Sequence, residues 1–198
     1  PSEIDFEGVR KAEQYLADKL EDFSLNHIIP NIDIPHGEET ERSYLFGIEK
    51  WSQFFNTRQL LTLVTYVEII NEAKAKIQAE YEPEKAEAII TYLAFSLDRC
   101  VDYNSRLSGW NAGRSGGDRA SKTHALNLNW NHPEYSGARY LWEFCADVVS
   151  NEFISLCQYL GTKSNSIQLQ ELEKYDSKSI QIDAASADSL FHIPDKSV

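Results

Sequence analysis

The segment NTRQLLTLVTYVEIINEAKAKIQAEYEPEKAEAIITYLAFSLDRCVDY, residues 56–103, decides the fold class of this chain. Asn56 is a favoured helix N-cap, and apolar residues follow it at the three- and four-residue spacing of one helix face. Pro83 interrupts that spacing and suits the first turn of a second helix, predicted over residues 84–103. Two long helices joined by so short a turn are expected to pack antiparallel. The segment therefore predicts a helical hairpin within a mainly α fold.

On the N-terminal side, the same spacing of apolar residues predicts an amphipathic helix over residues 2–23, although Gly8 weakens its start. Residues 25–50 lose that spacing and contain prolines and an acidic run, so we expect an extended connection there. Its isoleucines are expected to dock on the domain rather than build strands: Ile28, Ile29, Ile32 and Ile34.

On the C-terminal side, four glycines in residues 104–133 preclude a stable helix through the middle and predict a long glycine-rich loop. A third long helix is expected over residues 133–160, with Gly161 ending it. Alternating isoleucines then predict a short strand over residues 179–184. One strand cannot form a sheet, so either its partners belong to a longer protein or this end is frayed.

Composition excludes several classes of protein. The chain has 198 residues, a net charge of −12 and three cysteines without a paired motif, which favours a reducing, cytoplasmic setting. It has no apolar run long enough to span a membrane and no basic leader. The five histidines show no metal-ligand spacing, and no phosphate-binding or nucleophile motif is present. We therefore expect no catalytic residue and no metal site.

The glycine-rich loop has the composition of a nucleic-acid contact. Within residues 103–133, Asp118 is the only acid, so this stretch carries a net charge of +3 in an otherwise acidic chain. Aromatic rings stack on bases, Arg and Lys neutralise phosphates, and Asn amides pair with base edges. The alternative is a polar loop whose tryptophans pack back on the helices. The candidate DNA-binding residues here are Asn104, Arg106, Trp110, Arg114, Arg119 and Lys122.

Two further candidates, Arg58 and Gln59, fall in the first turn after the Asn56 cap. A helix N-terminus presents unpaired amides and a partial positive charge, which suits a phosphate group. The alternative is a packing role in which Arg58 pairs with a carboxylate.

Three segments of the chain carry motifs of a known family. The segments are GIEKWSQFFNTRQLLTLVTYVEII (47–70), ITYLAFSLDRCVDYNSRLSGWNAGR (90–114) and ARYLWEFCADVVSNEF (138–153). They resemble, in that order, the middle region of the adenine-specific DNA methylases that carry a segment of unknown function, DUF1156. The matching residues are Trp51, Phe54, Phe55, Arg58, Gln59, Leu60 and Leu61; Tyr92, Leu93, Ala94, Leu97, Asp98, Arg99, Asp102, Tyr103, Asn104 and Ser105; and Trp142, Glu143, Phe144 and Asp147.

The resemblance implies a function for each part of the chain. Residues 1–178 would be a helical inserted domain that positions double-stranded DNA or recognises its target. Residues 179–198 resemble the run into the catalytic motif of such enzymes, so their strand would join an α/β methyltransferase sheet. The resemblance implies that Asp183 contacts S-adenosylmethionine. The glycine-rich cofactor loop and the Asp-Pro-Pro-Tyr motif are missing, so we expect an excerpt that is inactive alone and binds no cofactor without the remainder of the methyltransferase.

The competing hypothesis is a helical module that binds a protein partner in a restriction-modification or phage-defence complex without touching DNA. The net charge of −12 favours it, because DNA-binding domains usually present a basic stripe. Convergence of the loop cations, Arg58 and Arg139 on one face would favour DNA contact instead. An unrelated free-standing enzyme is disfavoured by the missing motifs.

Overall fold

A computed structural model describes residues 2–25, 28–122 and 125–163, and these residues are mainly helical. The chain divides into two compact units, residues 1–151 and residues 152–198. Five α-helices and one two-stranded antiparallel sheet are present in the described residues. The elements are α1 (Glu3–Leu25), α2 (Glu41–Leu45), α3 (Thr57–Glu80), α4 (Pro83–Tyr103), β1 (Gly109–Asn111), β2 (Gly116–Asp118) and α5 (Trp142–Lys163).

Helices α3 and α4 form the predicted hairpin and pack against each other. Asn56 caps α3 as expected: its Oδ1 accepts from the Gln59 amide at 2.9 Å, and the Gln59 Oε1 accepts from the Asn56 amide at 3.0 Å. This reciprocal capping box satisfies two backbone donors that a helix start otherwise leaves unpaired. Pro83 begins α4, where a missing N–H costs no helical hydrogen bond.

We expect Asn56→Ala to lower the free energy of unfolding by about 1–2 kcal/mol, because the cap of a 24-residue helix is removed. Asn56→Ser keeps a capping oxygen and should lose less than half as much. Urea denaturation followed by tryptophan fluorescence measures both values. Equal losses in the two variants would show that the cap contributes little.

The N-terminal helix is confirmed, and α1 packs along α3 with Gly8 inside it. The connection over residues 28–50 docks on the domain as predicted: Ile29 and Ile34 are buried, whereas Ile32 is exposed. The prediction that this connection contains no helix is wrong, because α2 forms there. A 3₁₀ turn, Trp51–Phe54, follows the connection. The five residues of α2 are too few for a periodic signal.

Buried side chains join these elements in separate clusters. Leu63 of α3, Cys100 of α4, and Leu141 and Cys145 from the segment around the start of α5 form one cluster. A second cluster surrounds Phe54, which packs with buried isoleucines of the connection and with leucines of residues 107–128. The 3₁₀ turn therefore joins the connection to the glycine-rich loop.

The glycine-rich loop contains no α-helix in its described part, as predicted, but it contains a β-hairpin that was not expected. Strand β1 pairs with β2 in the register Gly109–Asp118, Trp110–Gly117 and Asn111–Gly116. The four-residue turn between them places Ser115 at a φ of 50°, a left-handed conformation that favours glycine. Of the candidate residues of the loop, the hairpin contains Trp110 on β1 and Arg114 in the turn.

The third long helix begins later and ends later than predicted. Residues 133–136 are not helical, Gly137–Leu141 form a π-helical turn, and α5 then runs through Gly161 to Lys163. The expected start at Pro133 fails because its carbonyl and the Tyr135 amide bond to side chains of other elements. Gly161 does not end α5 because one glycine only lowers helix propensity, by about 1 kcal/mol.

The predicted strand over residues 179–184, the segment 179–198 and Asp183 lie outside the described residues. Within the described ranges, none of the helices is both long enough and apolar enough to cross a membrane.

Candidate functional site

A cavity of about 470 Å³ lies at the start of α3, where the end of α4 and residues 134–138 meet it. Three of the residues singled out in the sequence, Arg58, Gln59 and Asn104, line this cavity together. The other lining residues are Thr62, Glu134, Tyr135, Ser136, Gly137 and Ala138. Polar and apolar groups both contribute to the lining, and the size falls in the range of roughly 300–1,000 Å³ typical of small-molecule sites.

A network around Glu134 forms one wall of the cavity. Its carboxylate pairs with the Arg58 guanidinium and also accepts a hydrogen bond from the Asn56 side chain. Gln59 is buried, its Oε1 is occupied in the capping box, and its Nε2 donates to the Pro133 carbonyl at 3.1 Å. Arg58 thus has a carboxylate partner, and the Gln59 amide holds residue 133 against α3.

Asn104 forms the floor at the C-cap of α4 and is 1% exposed. Its Oδ1 accepts from the Tyr135 amide at 3.3 Å. Its Nδ2 is buried and has no hydrogen-bond partner among the residues that the structure describes. A buried donor left unpaired costs about 1–3 kcal/mol, so this amide has hydrogen-bonding capacity that the fold itself does not use.

The Tyr66 hydroxyl supports the opposite wall by donating to the Gly137 carbonyl at 2.5 Å. Burial raises the pKa of this phenol to about 12, with a smaller contribution from the nearby Cys100. The neutral form is the one that can donate to a carbonyl. The wall is therefore held by a group that stays protonated over the neutral range.

This pKa gives a prediction for alkaline pH. Between about pH 10, where an unfolded tyrosine ionises, and about pH 12, the folded state keeps a proton that the unfolded state has released. Stability should therefore fall as pH rises through that window. We expect the fall to be shallower in Tyr66→Phe than in the wild type, as measured by urea denaturation at several alkaline pH values. Parallel curves for the two proteins would contradict the assignment.

The β-hairpin beside the cavity gathers cations around one carboxylate. Asp118 of β2 pairs with the Arg114 guanidinium and with Lys122 Nζ, the latter at 2.7 Å. The hydrogen bond from Lys122, aided by Asn111 and Arg114, holds the pKa of Asp118 below its usual value. Both cations remain mostly exposed to solvent. Asp118 thus orients two exposed positive groups without burying either.

The other loop cations have partners too. Arg119 lies 4.0 Å from Asp102 of α4, whose carboxylate also accepts from the amide and hydroxyl of Ser121. Arg106 donates to the Gln53 carbonyl at 3.0 Å, so it ties the loop to the 3₁₀ turn. Arg114 and Lys122 share Asp118, whereas Arg119, Arg106 and Arg58 belong to separate networks. We call Arg114, Arg119 and Lys122, which lie in the β-hairpin or directly after it, the hairpin cations.

Exposed aromatic rings accompany the hairpin cations. Trp110 of β1 is 48% exposed and Trp130 is 88% exposed, so neither is packed back fully on the helices. A bond from the Gly117 amide to the Tyr135 hydroxyl at 2.8 Å joins the hairpin to the cavity. The β-hairpin and the cavity therefore adjoin through Tyr135 in the unit formed by residues 1–151.

Comparison with protein-family models, curated proteins and solved structures finds no match. The resemblance to adenine-specific DNA methylases therefore rests on the three segments quoted above and on the fourth, residues 180–198. Within the described residues, no group of three His, Cys, Asp or Glu side chains could hold a metal ion.

Sequence reasoning missed the lining residues contributed by residues 134–138, above all Glu134, Tyr135 and Gly137. They contact α3 and α4 across 31 to 78 positions of the chain. The one local signal was Gly137, a glycine at the start of an expected helix, which marks a close backbone approach. Glu134 carried no such signal.

Proposed function

We propose that this chain is the DNA-positioning region of an S-adenosylmethionine-dependent DNA adenine (N6) methyltransferase. The observation that carries the proposal is the β-hairpin with exposed Trp110 on β1 and with Arg114 in its turn, together with Lys122 directly after it; both cations pair with Asp118 of β2. Exposed Arg and Lys contact phosphates, and an exposed indole offers a stacking surface. The methyltransferase assignment itself comes from the resemblance of the three quoted segments and of residues 180–198.

The charge balance limits this interface to weak binding. Three hairpin cations face two carboxylates, Asp118 and Asp102, which leaves a net charge of +1. The whole chain carries −12 and repels a polyanion at long range. We therefore expect strongly salt-dependent affinity that adds to the contacts made by the rest of the enzyme.

In this proposal the segment 179–184, predicted as a strand from its sequence, would join the methyltransferase sheet, and Asp183 would contact the cofactor. S-adenosylmethionine supplies the methyl group when it is bound. The described residues lie in the region inserted before that sheet, so their part is to hold and orient DNA.

Binding of the full chain to a labelled DNA duplex, measured by fluorescence anisotropy at two salt concentrations, tests the proposal. We expect the triple variant Arg114→Ala, Arg119→Ala, Lys122→Ala to lose most of its affinity. The slope of log K against log salt should become shallower by about 1 for each phosphate that the variant no longer neutralises. The matched control Arg10→Ala, Lys74→Ala, Lys76→Ala removes equal charge from exposed positions of α1 and α3 and should bind nearly as the wild type does.

Asp118→Asn gives a change of opposite sign. It removes the carboxylate that competes with phosphate for Arg114 and Lys122, so DNA affinity should rise. Weaker binding in this variant would show that the orientation of the two cations by Asp118 outweighs its competition with phosphate. Equal losses of affinity in the two triple variants would contradict a specific role for the hairpin.

The alternative function is a helical module for a protein partner. Besides the net charge, it is favoured by exposed apolar side chains on the C-terminal half of α5, among them Ile154 and Leu156. If the wild-type chain does not bind duplex DNA even at low salt, where electrostatic attraction is strongest, this alternative replaces the DNA-positioning proposal.

A further inference from the structure

A second cavity, of about 670 Å³, is lined by the 3₁₀ turn, by α4 and by residues on both sides of the β-hairpin. Most of its lining is apolar and includes the rings of Trp51 and Phe55 and the side chains of Val101, Leu107 and Leu126. The volume falls in the range of roughly 300–1,000 Å³ typical of small-molecule sites, which combine apolar walls with a few polar groups that orient the ligand. The polar groups of this lining therefore decide which ligand fits.

Two carboxylates give the second cavity its charge. Glu39 and Asp102 are its only charged lining residues in the described chain. Glu39 is exposed and has no ion pair with any residue that the structure describes. The turn that carries it is closed by Thr40, whose amide donates to the Gly37 carbonyl at 3.1 Å. The lining thus attracts a cation and repels an anion.

Asp102 is partly buried and keeps acceptor capacity. Its Oδ1 accepts from the Ser121 amide at 2.7 Å, and its Oδ2 accepts from the Ser121 hydroxyl at 2.9 Å. Each carboxylate oxygen can accept two hydrogen bonds, so one position on each oxygen is left. Arg119 Nε, at 4.0 Å, offsets part of the charge but is too distant to form a hydrogen bond. An ammonium group could therefore donate to Asp102 without displacing Ser121.

The aromatic lining also favours a cation that carries an apolar body. The face of an aromatic ring attracts a positive charge, most strongly in tryptophan. Trp51 and Phe55 are both partly exposed, so their rings are accessible to a ligand. A flat apolar body that packs against these rings loses contact with water, which stabilises the complex. A strongly hydrated inorganic cation would gain nothing from these walls.

We infer that the second cavity binds a small organic cation, whose ammonium group meets the carboxylates of Glu39 and Asp102 and whose apolar body packs against Trp51 and Phe55. The two cavities share no lining residue. This inference therefore goes beyond the proposed function and does not depend on it.

A neighbouring cavity of about 350 Å³ provides a comparison within the same protein. It shares Trp51, Phe55 and Val101 with the second cavity, but no charged residue lines it in the part of the chain that the structure describes. A ligand bound there would show no preference for a positive charge. Charge preference therefore distinguishes binding in the second cavity from simple uptake into an apolar space.

The test uses three probes that share a phenylethyl body: 2-phenylethylammonium, 2-phenylethanol and 3-phenylpropionate. Each is titrated into the full chain at millimolar concentration and neutral pH, and the NMR signal of the Trp51 indole N–H is followed. We expect the ammonium to bind about tenfold more tightly than the alcohol, because charge-assisted hydrogen bonds and cation–π contacts act on the ammonium alone. The carboxylate should bind least. Methylammonium, which lacks the apolar body, should not shift the signal.

Two variants test the role of the carboxylates. Glu39→Gln should weaken ammonium binding about threefold and leave binding of the alcohol unchanged. The matched control Glu38→Gln removes the same charge from the adjacent exposed residue, outside the lining, and should bind as the wild type does. Arg119→Gln removes the cation that offsets Asp102, so it should strengthen ammonium binding about twofold.

Ala120→Leu tests the location, because Ala120 lines the second cavity and not its neighbour. The larger side chain should remove most of the ammonium binding in a protein that still folds, as judged by circular dichroism and thermal melting. Ala125→Leu fills the same cavity and serves if Ala120→Leu does not fold. Equal affinity for ammonium and alcohol, no shift with any probe, or ammonium binding that survives in the folded leucine variant would overturn the inference.

Discussion

Phe54→Ala is expected to lower the free energy of unfolding by about 3–5 kcal/mol, a large share of the roughly 5–15 kcal/mol that stabilises a typical domain. Phe54 is 2% exposed and packs with Ile34 and Ile48 of the connection. Its ring lies 5.9 Å from that of Trp51, and its carbonyl accepts from the Arg106 amide at 2.8 Å. Truncation would leave a void where three segments of the chain meet.

Guanidinium denaturation followed by circular dichroism at 222 nm measures this change in stability through the helices rather than through the mutated cluster. The matched control is Phe6→Ala, which removes the same side chain from an exposed position of α1. We expect the control to change stability by less than about 0.5 kcal/mol, because surface substitutions rarely exceed that value. A decrease below about 1 kcal/mol in Phe54→Ala would mean that the cluster does not hold these segments together.

The helical hairpin was predictable because its signals are local. Asn56 and Pro83 mark helix starts through backbone groups within one turn, and the apolar stripes repeat every three or four residues. The β-hairpin lacked such signals. Its strands have three residues each and contain glycine, and they depend on Asp118 and on the distant Tyr135. Long-range contacts of this kind leave no periodicity in the sequence.

The candidate site was predictable in part for the same reason. Residue chemistry pointed to Arg58 and Asn104, which the fold brings to one cavity across 46 positions of the chain. It could not show that Glu134 would pair with Arg58, which was the packing alternative considered for that arginine. The sequence analysis also treated the cations of the glycine-rich loop as one set. In the structure, Arg106 differs from the others because its guanidinium donates to the Gln53 carbonyl. Such pairing depends on tertiary structure.

Gly137→Ala is expected to destabilise the protein by about 1–3 kcal/mol, the cost of forcing an extra methyl group into a packed site. A Cβ at residue 137 would overlap the Cγ2 of Thr62 on α3 and approach its Oγ1 to 3.1 Å. The β-branched Thr62 side chain has few rotamers with which to move away. Urea denaturation of the two proteins gives the difference.

A double-mutant cycle identifies the cause of this destabilisation. Thr62→Ala removes both overlapping atoms and leaves its Cβ at 3.3 Å, so the double variant should recover most of the stability that Gly137→Ala loses. The control Gly8→Ala adds a methyl group where no atom lies within 4 Å and should stabilise α1 by up to about 1 kcal/mol. Additive effects at residues 62 and 137 would show that the two walls of the cavity do not touch. Coupled effects would show that the contact between residues 62 and 137 holds the segment of Gly137 against α3.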